Sequence, residues 1–203
     1  MFTKWLILPA LFISLATGTA ARAQGTPTET VKQTVDEVVR IVSDKEMKKP
    51  LNDKKRRLAL KKTIGSVFDH AEMAQRSMGR HWRDRSPAEK KEFIDLFETL
   101  LENSYASKIE SYNQEKIVYQ KETIDGEFAE VKSKVITPKR DEYSLDYRLM
   151  NKGGNWKAYD VVIEGVSLIS NYRTQFNKII TSQGGYTELV KKLRSKSDEL
   201  KTP

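Results

Sequence analysis

Few side chains in this sequence could carry out metal or nucleophilic chemistry. The chain has two histidines, His70 and His81, and no cysteine. A zinc site needs several ligands at helical or strand spacing, as in H-E-x-x-H, and neither histidine has such neighbours. Without cysteine, disulfides, iron–sulfur clusters and thiol catalysis are excluded as well. The histidines and the lack of cysteine therefore predict no metal site and no catalytic residue of these two types.

Asp160 is the carboxylate with the best local context for acid–base chemistry. It is flanked by Trp156 and Tyr159, so it could act as an acid or base in an apolar pocket. Glu164 is four residues away, about 13 Å along a strand, which is too far for a glycosidase pair. The more ordinary interpretation is a carboxylate hydrogen-bonded to backbone at a sheet edge. The sequence leaves both open.

Before the strands, one of which would carry Asp160, the apolar residues recur at helical spacing. Valines at helical spacing predict a first amphipathic helix over about 29–45, after a turn at 26–28. A second helix is expected after Asp53, and a short one over about 70–78. The clearest start signal is Ser86-Pro87-Ala88-Glu89, a capping box with proline at the first helical position. It opens a helix of about 25 residues with an aromatic stripe.

From Lys116 onward, apolar and polar residues alternate with a repeat of two, which predicts strands joined by short turns. Helical spacing returns after Ser167 and is interrupted at Gly184-Gly185. The fold class is therefore α+β, with an antiparallel sheet of about four strands wrapped by helices. The aromatic residues on the inward stripes could fill a core or surround an apolar cavity. Periodicity alone does not decide between these two.

The first 23 residues have the pattern of a secretory signal peptide. Lys4 is followed by the apolar stretch 5–16 (WLILPALFISLA) and by Ala21-Arg22-Ala23, a cleavage signal. Twelve residues rise only about 18 Å as a helix, too short for a hydrocarbon core of about 30 Å. We therefore expect a mature domain, 24–203, in the periplasm. Its basic runs suit transient contact with an anionic membrane surface or an acidic protein, and export argues against nucleic acid.

Over about 68–195 the chain resembles the MlaC family, also called the toluene-tolerance auxiliary family, most clearly in two segments. One is the block 154–169 (GNWKAYDVVIEGVSLI), and the other is Met78–Arg83 (MGRHWR) followed by Ser86-Pro87. The resemblance implies a curved, NTF2-like fold around an apolar cavity. It also implies a phospholipid carrier. Its partners would be an inner-membrane ABC transporter complex with an MCE-domain subunit and an outer-membrane lipoprotein–porin complex.

Under this resemblance the inward stripes supply candidates for contact with the acyl chains. They are Phe97, Leu101, Tyr105, Val131, Val135, Leu145, Tyr147 and Val162, with Val166 and Ile169 near the mouth. Trp82 and Arg83 are expected beside the opening. We expect a monomer whose only ligand is the phospholipid, with no cofactor and no enzymatic activity. Two alternatives stay open: an NTF2-like small-molecule enzyme that uses Asp160, and a ligand-free periplasmic adaptor with a solid core.

Overall fold

The computed structural model describes residues 25–182 and 184–199. They form, in order, α1 (Pro27–Ser43), α2 (Asp53–Val67), α3 (His70–Met78), α4 (Pro87–Glu110), β1 (Lys116–Asp125), β2 (Phe128–Ile136), β3 (Glu142–Lys152), β4 (Asn155–Ile163), β5 (Val166–Ser167), α5 (Leu168–Ser182) and α6 (Gly185–Glu199). Short 3₁₀ turns, Pro50–Asn52 and Gly79–Trp82, precede α2 and follow α3. None of these helices combines the length and apolarity needed to cross a membrane. The predicted signal peptide, 1–23, lies outside the described residues.

Helices α1 and α4, the two longest, both begin at capping boxes. At α4 the Oγ of Ser86 accepts from the N–H of Glu89 at 3.2 Å, and the Ser86 N–H donates to the Glu89 carboxylate at 2.7 Å. This confirms the predicted start. Thr26 and Glu29 make the same pair of bonds at α1, at 3.2 and 2.7 Å. The expected turn at 26–28 is therefore wrong, because Thr26 caps a helix that begins two residues earlier than predicted.

The five strands form one open antiparallel sheet in chain order, β1-β2-β3-β4-β5. Four of them are the predicted strands. The fifth has two residues, pairs with the end of β4 and leads directly into α5. The turn between β4 and β5 uses Glu164 and Gly165, both with positive φ. The predicted α+β meander is confirmed, with one short strand added.

A bulge in β4 decides which side chains share a face of the sheet. Tyr147 of β3 lies opposite Val161, but on the other side of the bulge Leu149 lies opposite Ala158, so Tyr159 is an extra residue. Side chains alternate along a strand, and cross-strand partners share a face. Arg148 and its partner Asp160 therefore face away from the side that carries Tyr147.

The hydrophobic core is divided into three clusters. The largest joins α3, α4, α5 and α6 and contains Phe93, Phe97 and Phe176. A second packs Val31 of α1 against the sheet, and a third joins α1 to Leu60 of α2. A domain of this size usually has one contiguous core. The first two clusters meet at Phe68, a half-buried residue that packs against both.

Candidate functional site

A pocket of about 840 Å³ lies between the sheet and helices α1, α2 and α4. Its wall is mostly apolar and includes residues of all three core clusters, among them Leu101, Tyr147 and Leu60. Its volume is within the range of about 300–1,000 Å³ that is usual for small-molecule sites. All three core clusters therefore border this pocket.

Helix α1 contributes one straight wall of the pocket. The lining residues follow a single helical stripe: Val31, Thr34, Val35, Val38, Val39 and Val42. The stripe extends over eleven residue steps, or about 16 Å at about 1.5 Å per residue. That length is close to the hydrocarbon thickness of one bilayer leaflet, about 15 Å as half of a core of about 30 Å. The wall is therefore long enough to run beside an extended acyl chain.

The facing walls come from the sheet and from the C-terminal half of α4. They carry two tyrosines, Tyr147 on β3 and Tyr105 on α4. Burial raises the pKa of the Tyr147 phenol, and it also raises the pKa of Tyr105, with a further contribution from the neighbouring Tyr172. Both phenols are therefore neutral at physiological pH, and these walls stay uncharged.

Charged side chains join α2 to α4 at one side of the pocket. The Lys61 ammonium lies 2.7 Å from the Glu102 carboxylate and 3.1 Å from that of Glu98. Lys61 and Glu102 both line the pocket. We call these three residues the α2–α4 clasp. Further along, the Arg56 guanidinium lies 3.1 Å from Glu110 and continues the bridge between the two helices.

The pocket opens to solvent at Leu58 of α2. This side chain lines the pocket and is nevertheless 68% exposed. Basic residues, Arg57 and Lys108, also belong to the wall, and both are exposed. The arrangement places an apolar interior behind a charged rim, in which Arg57 lies 3.9 Å from Glu110. It suits a ligand with long apolar chains and an anionic or zwitterionic polar end.

No group of three or more His, Asp or Glu side chains that could hold a metal ion occurs within 25–182 and 184–199. The two histidines have other partners. His81 Nε2 lies 2.9 Å from the Asn177 side-chain oxygen, and His70 Nδ1 lies 3.6 Å from Glu98. Each histidine therefore belongs to a contact between secondary-structure elements.

Half of the predicted lipid-contacting residues line the pocket. They are Leu101, Tyr105, Val135, Leu145 and Tyr147. They come from α4, β2 and β3, and the fold brings them to one cavity although 46 positions separate the first from the last. Their contact with a lipid remains a prediction.

Phe97 lies in the helical cluster and is fully buried there. Its ring stacks on Phe93 at 5.9 Å between centroids and meets Tyr172 edge-on at 5.2 Å. Trp82 packs edge-on against Phe93 as well, at 6.4 Å. Trp82 and the exposed Arg83 are therefore near the start of α4, while the pocket uses the other half of that helix. Neither residue lies at the pocket opening, where both were expected.

The remaining four candidates are also outside the pocket wall. Val131 is fully buried between the sheet and α1. Val162 lies opposite Asp146, on the sheet face that points away from Tyr147. Val166 is 60% exposed in β5, and Ile169 is buried in the helical cluster. The bulge in β4 is the reason why Val162 lies outside the pocket. Its extra residue shifts the alternation of side chains between the two sheet faces by one position.

The Asp160 carboxylate is engaged by three donors. It accepts from the Ser167 hydroxyl at 2.6 Å, from the Ile169 N–H at 3.0 Å and from the Arg148 guanidinium at 3.2 Å. The side chain is almost fully buried, on the sheet face away from the pocket. Of the two interpretations, hydrogen bonding to backbone is the one found, and the apolar pocket around Asp160 is not. The residue joins β4 to the first turn of α5.

Many of the pocket residues missed from the sequence are on α1 and α2. They include Val35, Val38 and Val39, with Ile64 and Val67 on α2. The signal for α1 is present in the sequence, because its inward stripe is almost entirely valine, a residue that is stiff and weakly helix-favouring. The basic residues of the rim, Arg57 and Lys61, give no such signal, because charged residues on an exposed helix face are common.

Two curated relatives resemble the chain over part of their length. The intermembrane phospholipid transport system binding protein MlaC of Haemophilus influenzae is 29% identical over 128 residues, 61% of this chain and 60% of that protein. The toluene tolerance protein ttg2D of Pseudomonas putida is 28% identical over 128 residues, 62% of this chain and 60% of that protein. The matched segment thus spans about 60% of each relative.

A solved structure matches the fold more completely. The phospholipid-binding protein of Ralstonia solanacearum, determined in complex with a phospholipid, has a TM-score of 0.78 and 28% sequence identity. The match covers 87% of this chain and 99% of that one. The family model described as MlaC protein matches residues 32–195, which include the pocket and nearly all of the helices and strands. The chain belongs to the MlaC family.

Proposed function

We propose that this protein binds a phospholipid by its acyl chains in the pocket between α1, α2, α4 and the sheet, and carries it through the periplasm. The observation that carries the proposal is the apolar pocket, with its valine wall of about 16 Å on α1. Two further facts support it. The relatives' names refer to phospholipid transport and toluene tolerance, and the matching Ralstonia structure contains a phospholipid.

The physics of the cargo explains why such a pocket is needed. Each methylene exposed to water costs about 0.8 kcal/mol, so two acyl chains with about 30 methylenes cost on the order of 20 kcal/mol. A bare lipid therefore does not diffuse through water at a useful rate. An apolar pocket removes that cost, while the headgroup stays in water because burying it unpaired is unfavourable. In this proposal the headgroup lies at the opening beside Leu58, near the basic rim.

The cellular part of the proposal follows the family. The predicted signal peptide, 1–23, would deliver a single mature domain, 24–203, to the periplasm. That domain would act as a monomeric carrier between an inner-membrane ABC transporter complex with an MCE-domain subunit and an outer-membrane lipoprotein–porin complex. Since an apolar pocket and a bilayer interior are both hydrocarbon-like, transfer is nearly neutral in free energy. Net direction would then come from the partners.

The two alternatives have less support. An enzyme of the NTF2-like type would use Asp160, but its carboxylate is occupied by Ser167, Ile169 and Arg148 on the other sheet face. A ligand-free adaptor would have a solid core, whereas here the core is divided around a pocket of about 840 Å³. Both observations favour a binding role over catalysis or simple scaffolding.

The deciding experiment is native mass spectrometry of residues 24–203 purified from a bacterial periplasm, with lipid extraction alongside. We expect a mass excess equal to one or two phospholipids that disappears on denaturation. Protein that is bare after purification, and still bare after incubation with phospholipid vesicles, would overturn the proposal.

Variants then locate the lipid. Val38→Trp on α1 and Leu145→Trp on β3 place a large ring into the pocket from opposite walls, and both should lose most of the bound lipid. Leu96→Trp is the matched control, because Leu96 is also half-buried but packs against the helical cluster. Circular dichroism establishes that each variant is folded. Equal lipid content in all three would place the lipid elsewhere.

A further inference from the structure

An exposed stripe of leucine and lysine runs along the outer face of α2. It begins in the preceding 3₁₀ turn and consists of Leu51, Lys54, Lys55, Leu58 and Lys62. These positions are separated by three, one, three and four residues, which keeps them on one side of a helix. All five are exposed, while Leu60, Ile64 and Val67 point to the protein interior or pocket. We call this stripe the leucine–lysine face.

The two leucines of this face are unusual because they are large, apolar and in water. Leu51 is 94% exposed and Leu58 is 68% exposed. They are the most exposed large hydrophobic side chains in the described part of the chain. Leaving a leucine in water forgoes roughly 1.5–3 kcal/mol of burial free energy. Two of them on one face therefore indicate a surface that is covered by something apolar when the protein functions.

The surrounding charge indicates what covers it. Residues 45–62 contain nine Lys and Arg and two acidic residues, an excess of +7 in a chain whose total is +8. Almost the whole net charge is therefore concentrated beside these leucines. Among the described residues Lys54 and Lys62 have no ion-pair partner. Unpaired lysines around exposed leucines match a surface that is anionic outside and hydrocarbon inside.

The face is also continuous with the pocket. Leu58 belongs to both the stripe and the pocket wall, and the neighbouring Arg57 and Lys61 line the pocket as well. The α2–α4 clasp, which contains Lys61, is therefore next to the same surface. A bilayer that touched the leucine–lysine face would lie directly at the pocket opening.

We propose that the leucine–lysine face docks onto an anionic phospholipid bilayer and places the pocket opening at the membrane surface. The leucines enter the acyl-chain boundary, and the lysines contact phosphate and carboxylate headgroups. The inference rests on the proposed function, since the bilayer is the donor or acceptor of the cargo. A bilayer suits the face better than an acidic protein, because two leucines seven residues apart enter a fluid surface without a preformed pocket for each.

The test is flotation of the mature protein with vesicles of three parts phosphatidylcholine to one part phosphatidylglycerol. The wild type should float with these vesicles and not with pure phosphatidylcholine. Replacing both leucines, Leu51→Ser with Leu58→Ser, should lower the partition coefficient roughly tenfold or more. Replacing Lys54, Lys55 and Lys62 by Gln should lower it about a hundredfold and abolish the dependence on anionic lipid.

Matched controls use exposed residues elsewhere. Ile124→Ser removes a side chain on β1 that is 52% exposed, and Lys178→Gln with Lys191→Gln removes charge from α5 and α6. These controls should float like the wild type. Equal loss in controls and test variants would mean that charge or hydrophobicity in general, and not this face, causes binding, and would overturn the proposal.

Lipid content, measured by native mass spectrometry on the same samples, separates this inference from the proposed function. A wild type that contains phospholipid but ignores the anionic vesicles overturns bilayer docking, leaves carriage intact and points to an acidic protein surface as the occupant. A wild type that floats through the leucine–lysine face but never contains lipid overturns carriage and supports the docking surface.

Discussion

The Lys61 ammonium of α2 lies 2.7 Å from the Glu102 carboxylate of α4, so an ion pair closes one side of the pocket. Burial lowers the pKa of Lys61, but hydrogen bonds with Glu102 and Glu98 outweigh that effect and leave the pKa above its usual value. Lys61 is therefore fully charged at physiological pH. The clasp therefore joins α2 to α4 at the wall of the pocket.

Removing the clasp should make exchange of lipid faster with little loss of stability. Because Lys61 is 48% exposed, Lys61→Ala should cost no more than about 1 kcal/mol of unfolding free energy. Transfer of a fluorescent phospholipid between protein and vesicles should accelerate severalfold. Lys91→Ala breaks an ion pair of 2.8 Å with Asp95 that stays within α4, and it should leave the rate unchanged. Equal rates in both variants would show that the clasp does not limit exchange.

Asp69 should make the fold sensitive to acid. Burial raises the pKa of its carboxyl, but hydrogen bonds from Lys152 and from the Glu72 N–H outweigh this and hold the pKa below its usual range. A lowered folded-state pKa contributes stability above the unfolded value of about 3.9, and this stability is lost as pH falls through the folded value.

The Asp69→Asn variant tests that prediction. Asparagine still caps α3, so the helix should persist, but the charge that pairs with Lys152 is gone. At pH 7 the variant should be less stable by about 1 kcal/mol. Its deficit should shrink as the pH falls below about 4, measured by urea unfolding at several pH values. A deficit that stays constant with pH would contradict the assignment.

Asp160 should matter for stability and not for lipid content. Asp160→Ala leaves the Ser167 hydroxyl and the Ile169 N–H without their acceptor, which should cost about 2–3 kcal/mol. Asp160→Asn retains an acceptor oxygen and should cost less. Lipid bound per folded molecule should be unchanged in both, measured by extraction after size-exclusion chromatography. A folded Asp160→Asn protein without lipid would tie this residue to the pocket after all.

The helical cluster and the pocket wall should respond differently to truncation. Phe97→Ala empties a fully buried ring site and should cost about 3–5 kcal/mol. Val38→Ala removes two methyl groups from a half-buried side chain that faces the pocket, and it should cost less than about 1 kcal/mol. Thermal unfolding of the two variants gives the comparison. Similar losses would mean that Val38 packs in a filled core.

Local signals predicted most of the fold because each acts within a few residues. The capping box at Ser86 and Glu89 and the alternation along β2 and β3 fix helix and strand type without reference to the rest of the chain. The same reasoning identified the valine stripe of α1 as inward-facing. It missed the start at Thr26, where a proline was taken for a turn, and the two-residue strand β5.

The site was harder to predict because it depends on contacts between distant segments. Phe97 and Tyr105 share one stripe of α4, yet one packs in the helical cluster and the other lines the pocket. Periodicity predicts which face of a helix points inward. It does not predict where along the helix the packed cluster stops and the pocket begins. The prediction that Val162 lines the pocket was wrong for a related reason. The bulge at Tyr159 changes which side chains of β4 face the pocket, and the spacing of apolar residues in the sequence does not reveal a bulge.

In the proposed function, the pocket that borders all three core clusters gives the bound lipid a second role. A ligand that fills this pocket would contact all three clusters at once, so binding and folding would stabilise each other. For a ligand that binds only the folded chain, each tenfold rise in its free concentration above the dissociation constant adds about 1.4 kcal/mol of stability. Molecules without ligand would therefore be less stable than loaded ones and would open more often.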